Sequence, residues 1–139
     1  MTIQKYIRVG FFEKFKGEDS ILISADIHGL LELESIFQRL RIKGNSIQLK
    51  GLKNIDLKHS IPLTLSSSDK NEGLRKKESG YAWILTPEKW SEFRDKIISL
   101  YKNGFEGHQF LDAETTDHSD LQVVLSLNEY NLEFWEKFK

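Results

Sequence analysis

Four histidines (His28, His59, His108 and His118) and one acid-rich stretch without Lys or Arg are the residues of this sequence with the clearest chemical potential. Imidazole titrates near neutrality and a neighbouring carboxylate can orient it. His108 and His118, with Asp112, Asp117 and Asp120 beside them, are therefore the one histidine pair placed for acid–base work or metal ligation. Their spacing fits no signature such as H-E-x-x-H, and a stretch this acidic is more often a solvated or partner-facing surface, so no metal site and no cofactor is expected. Serines are plentiful, but no G-x-S-x-G elbow is present, and the glycines compose neither G-x-G-x-x-G nor a Walker loop. The chain has no cysteine, which removes thiolate ligands, disulfides and a cysteine nucleophile. No catalytic residue is assigned, and the expectation is a protein that is not an enzyme.

The acidic run spans residues 106 to 120 (EGHQFLDAETTDHSD) and carries Glu106, Asp112, Glu114, Asp117 and Asp120 without any Lys or Arg. Such a stretch repels phosphate and attracts cationic surfaces. These five acids are the candidate partner-binding residues. The opposite charge lies upstream. Residues 39–77 hold ten basic side chains against three acidic, whereas residues 78–139 hold six basic against twelve acidic, so a net charge of −1 conceals a division along the sequence. Arg39, Arg41, Lys43, Lys50, Lys53, Lys58, Lys70, Arg75, Lys76 and Lys77 raise an alternative, a phosphate- or RNA-binding accessory domain. A sequence pI of about 6.4 and the lack of an aromatic among those cations for base stacking disfavour nucleic acid. Whether the basic segment forms a second contact surface stays open at this point.

The elements that must position these residues follow from periodicity. At 139 residues, with 39% hydrophobic and 29% charged side chains, the chain fits one globular domain covering residues 1–139. Residues 3–12 and 20–24 are apolar and rich in β-branched or aromatic side chains and read as a β-hairpin around Gly17, Glu18 and Asp19. Asp26 is the expected N-cap of a helix with Leu30, Leu33, Ile36, Phe37 and Leu40 on one face, ended by Gly44 and Asn45. Short alternating runs follow from Ser46 to Ser67, with Pro62 at a strand start or edge. Residues 66–80 (SSSDKNEGLRKKESG) read as a long flexible loop.

Residues 81–85 (YAWIL) form a buried strand, and Thr86-Pro87-Glu88 opens a second helix that presents Trp90, Phe93, Ile97 and Tyr101. Strands at 107–111 and 121–127 flank the acidic run, and Leu132, Trp135 and Phe138 give a short closing helix. Tyr130 either closes the core, the favoured reading, or projects beside the acidic run as an interface anchor. The expected fold class is α+β, a mainly antiparallel sheet with two principal helices packed on one face. No internal repeat is evident. The amino terminus lacks the pattern of a secretory signal, and no apolar run reaches the roughly 20 residues of a membrane span, so a cytoplasmic protein without a membrane partner is expected.

Three patches, ISAD-x-x-GL (Ile23 to Leu30), GHQFLD (Gly107 to Asp112) and LQVVLSLNEY (Leu121 to Tyr130), together with the LT-x-E-x-W helix start, resemble the small bacterial immunity proteins of polymorphic-toxin and contact-dependent growth-inhibition systems. The resemblance covers about a third of the chain, and residues 44–80 lie outside it. It implies a protein without catalysis that binds one cognate toxin domain and occludes its active site. Many such toxins are cytosolic nucleases with basic surfaces, to which the acidic run is complementary.

Overall fold

The computed structural model describes residues 5–15, 17–104, 106–111 and 122–137. It is an α+β single domain in the order β1 (Ile7–Phe15), β2 (Glu18–Ala25), α1 (Ile27–Arg39), β3 (Ser46–Gln48), β4 (Leu63–Ser67), β5 (Gly73–Lys77), β6 (Gly80–Leu85), α2 (Pro87–Lys102), β7 (Gly107–Phe110), β8 (Gln122–Leu127) and α3 (Leu132–Lys137). Single 3-10 turns at Leu49–Gly51 and Leu57–His59 lie between β3 and β4.

The strands form two four-stranded mixed sheets, ordered β1-β2-β8-β7 and β3-β4-β6-β5, in place of the one sheet expected, and four of the six strand pairings are antiparallel. In each sheet two antiparallel hairpins join through a parallel pair of their second strands, β2 with β8 and β4 with β6. The short links that argue for antiparallel pairing describe only the hairpins. The parallel pairs are made between non-consecutive strands, β2 and β8 across most of the chain and β4 and β6 across β5, which the links between consecutive strands do not report.

The two sheets are related by an internal repeat that the sequence does not advertise. The units β1-β2-α1-β3-β4 and β5-β6-α2-β7-β8 exchange hairpins, so each sheet takes one hairpin from each unit. Equivalent positions lie about sixty residues apart. The N-cap side chains Asp26 and Thr86 accept from Gly29 N and Lys89 N. Buried Leu30, Leu33, Phe37 and Leu40 correspond to Trp90, Phe93, Ile97 and Leu100. The parallel register keeps the same offset, Ala25 opposite Leu127 and Leu85 opposite Ser67. Matching hydrogen bonds follow each pair, from Asn128 N to Ala25 O at 3.0 Å and from Ser68 N to Leu85 O at 2.9 Å. Burial is repeated while residue identity is not, which hides the repeat from inspection of the sequence.

One core draws on the inner faces of both sheets and on both long helices. Its centre is aromatic: Trp90 lies 5.0 Å from Phe37 and 5.0 Å from Trp83, and Trp83 lies 5.6 Å from Phe93, ring centre to ring centre. Leu100 takes the buried place expected of Tyr101, whose hydroxyl instead donates to Glu34 Oε1 at 2.6 Å. A smaller apolar cluster covers the outer face of the first sheet, where Trp135 of α3 packs with Leu22, Val124, Phe12 and Phe134. Gly10 leaves the room for that indole, since a Cβ there would stand 2.6 Å from Trp135 Cζ3. Tyr130 joins this cluster against Phe15 and Phe134.

Residues 66–80, expected as one long loop, carry β5, which pairs with β6 from Gly73 opposite Ile84 to Lys77 opposite Gly80. Only Leu74 on β5 meets the core strongly, so a two-residue hydrophobic alternation is barely visible there. The stretch 54–61, read as part of a strand run, instead lies along β1: Ile7 N donates to Asn54 O, Asp56 N to Ile7 O and Ile61 N to Val9 O.

Asp26 fixes the first helix to this frame. Its Oδ1 accepts from Gly29 N at 2.9 Å and from Tyr6 N at 3.0 Å, so one carboxylate both caps α1 and holds the chain entering β1. Close approach there demands Gly29, where a Cβ would meet Tyr6 O at 2.1 Å and Ile7 Cγ1 at 2.8 Å. Gly→Ala inside a helix ordinarily stabilises by about 1 kcal/mol. Gly29→Ala is expected to reverse that sign and destabilise by about 2 kcal/mol or more through overpacking against backbone, read as a fall in the urea midpoint at unchanged slope.

Candidate functional site

The acidic run is anchored at its start to the first sheet. Strands β7 and β8 pair from Gly107 opposite Leu127 to Phe110 opposite Val124, and Leu111, buried, continues the ladder by donating to Val123 O at 2.9 Å. Strand β8 is central in its sheet and nearly all of it is buried. Glu106 is exposed immediately before β7. Asp112, Glu114, Asp117 and Asp120, with His118, lie outside the described residues. Phe110 stands partly exposed at the last position of β7, with its carbonyl accepting from Lys96 Nζ at 2.7 Å.

His108 takes its carboxylate from a place the sequence does not suggest. Its Nδ1 lies 3.1 Å from Glu129 Oε2, and Ser126 Oγ donates to Glu129 Oε1 at 2.6 Å. His108 and Ser126 are cross-strand partners on the outer face of the sheet, and the turn at Asn128, with a φ of 58°, brings Glu129 back over them. The group contains a serine, a histidine and a carboxylate in the wrong order for a nucleophile: the hydroxyl is bonded to the acid rather than to the imidazole that would have to deprotonate it. The arrangement locks the β7–β8 pair to the following turn. Among the described residues, no three His, Cys, Asp or Glu side chains are placed to hold a metal ion.

A second polar group, missed in the sequence, lies at the opposite edge of the same sheet. Arg8 is buried on the outer face of β1, with its Nε 2.8 Å from Asp56 Oδ2, and His59 Nδ1 meets that same oxygen at 2.9 Å. The Arg8 guanidinium carbon sits 4.2 Å from the centre of the Tyr6 ring. Burial alone would push the Asp56 carboxyl up, but the hydrogen bonds from Arg8 and His59, with their charge, outweigh it and hold the group below the ordinary carboxylate range. The available signal was an arginine inside the apolar run IRVG, where a charge needs a partner if the strand is covered on both faces.

The cations of residues 39–77 are spread over several elements. Arg39 ends α1, Lys50 lies in the first 3-10 turn, Lys53 immediately precedes the segment beside β1, Lys58 lies within that segment in the second 3-10 turn, and Arg75, Lys76 and Lys77 are on β5. Two have acidic neighbours close by: Lys43 pairs with Asp69, and Arg75 lies 3.9 Å from Glu72. No helix among the described residues is long and apolar enough to cross a membrane.

Because Asp56 is held below its usual pKa of 3.8, its contribution to stability is complete above that value and is lost as the pH falls beneath it. Asp56→Asn is therefore expected to cost about 2 kcal/mol at neutral pH, where it leaves Arg8 without its carboxylate. The gap from wild type should narrow in urea titrations carried down to about pH 3. Comparison with known protein families, curated sequences and solved structures returns no match to this chain.

Proposed function

We propose that this chain is an immunity protein that binds a cognate bacterial toxin domain in the cytoplasm and occludes its active site, the toxin being a nuclease. The observation that carries the reading is the fifteen-residue acidic run, free of Lys and Arg, that leaves the first sheet at buried Leu111 and returns to it in buried β8. A nuclease must hold phosphate in a cationic cleft, and a dense row of carboxylates presents the complementary charge without offering a scissile bond. Within the run, Glu106 is exposed and Phe110, at the end of β7, is a partly exposed aromatic available as an anchor. No cofactor and no catalytic residue enter this function. Inhibition by occlusion needs only tight, oriented binding.

The alternative, phosphate or RNA bound along residues 39–77, is weakened by the dispersal of those cations over both sheets and by the local pairing of Lys43 with Asp69. Capture of one stoichiometric protein partner whose affinity falls with salt supports the inhibitor. Retention of generic RNA with no protein partner supports the alternative.

Replacing Asp112, Glu114, Asp117 and Asp120 together by their amides should slow association with the toxin domain by about tenfold at low salt and flatten its dependence on ionic strength. Dissociation should change less. Stopped-flow association rates that are identical for the wild-type and the fourfold variant would overturn the assignment of this surface.

A further inference from the structure

Beside β1, at the edge of the first sheet farthest from β7, an open pocket of about 170 Å³ is lined by Lys5, Arg8, Lys53, Asn54 and Asp56, among others. That volume exceeds the roughly 30 Å³ that one water occupies. Three cations face one carboxylate, and that carboxylate is already engaged by Arg8 Nε and His59 Nδ1. The Arg8 side chain is only 4% exposed, and its Nη1 has no hydrogen-bond partner among the described residues. A guanidinium taken out of water with part of its fork unused is a costly arrangement unless an acceptor arrives to complete it.

The pocket wall is preorganised. Glu32, on α1, accepts from Lys53 N at 2.7 Å and from Asn54 N and Nδ2 at 2.8 and 2.9 Å, while Asn54 O accepts from Ile7 N at 2.8 Å. These bonds fix the turn that carries Lys53 against the strand that carries Arg8, so the two charges converge without ordering a loop. We infer that this pocket binds a small oxyanion, the phosphate or carboxylate group of a ligand, with Arg8 at its floor and Lys5 and Lys53 at its rim. Arginine's planar fork suits both groups, and the two lysines supply point charges. The site does not depend on the proposed toxin contact, whose described residues adjoin β7 at the other edge of the sheet.

The test is a titration of the isotope-labelled full chain by NMR, with inorganic phosphate in one series and acetate in another, at ionic strength held constant with chloride. Saturable shifts confined to the amides of residues 5–8 and 53–56 are expected in at least one series. Phosphate alone would assign a phosphoryl ligand, acetate alone a carboxylate, and each outcome supports the site. Arg8→Gln breaks the pair with Asp56 and threatens the fold, so the decisive variant is Lys5→Gln with Lys53→Gln, which should weaken binding about tenfold. Shifts that follow neither anion, or wild-type and double-variant titrations that coincide, would overturn the inference.

Discussion

Each sheet of this protein is completed by a parallel pair between the second strands of two hairpins, and everything else is arranged around those two pairs. A parallel pair cannot be closed by a tight turn. The chain must leave β2, build a helix and a whole second sheet, and return at β8 to satisfy the backbone of the first. Because both helices cover the inner faces of both sheets, the aromatic centre of Phe37, Trp83, Trp90 and Phe93 is shared rather than divided, and neither half of the chain holds a complete sheet.

The repeat inside this frame is useful for what it does not repeat. Leu22 and Val124 on the outer face of the first sheet have Ala82 and Thr64 as their counterparts on the second. The first pair is buried under α3, and the second pair is only half-buried. The two polar groups, His108 with Glu129 and Arg8 with Asp56, also belong to the first sheet, at its opposite edges. Acidic and cationic chemistry thus flank the sheet whose outer face carries a helix, with α3 separating them.

Local order was legible in the sequence where a single residue type determines it. Asp26 and Thr86 cap their helices as expected, Pro87 opens the second, and the apolar spacing of both helices places Leu30, Leu33, Phe37, Trp90, Phe93 and Ile97 in the core. What periodicity could not convey was pairing at a distance. Nothing in SILIS or LQVVL announces that Ile21 and Val123 are neighbours, and β5 was hidden because Arg75, Lys76 and Lys77 belong to an edge strand with one core contact. At the candidate site the acidic composition was plain, whereas the partner of His108 was not, since Glu129 arrives from beyond the next strand. The group of Arg8, Asp56 and His59 was equally obscure because the Arg8–Asp56 contact spans 48 positions and depends on a segment that runs beside β1 without being a regular strand.

The placement of β8 also sets an order of events during synthesis. The second sheet uses residues 46 to 85 and becomes complete as that length leaves the ribosome, whereas the first must hold β1 and β2 apart from their final neighbour until residues 122–127 emerge. Through that interval Leu22 has neither Val124 beside it nor Trp135 above it. The nascent chain therefore exposes the apolar β1–β2 hairpin until β8 emerges, and its exposure to aggregation is concentrated in those two strands.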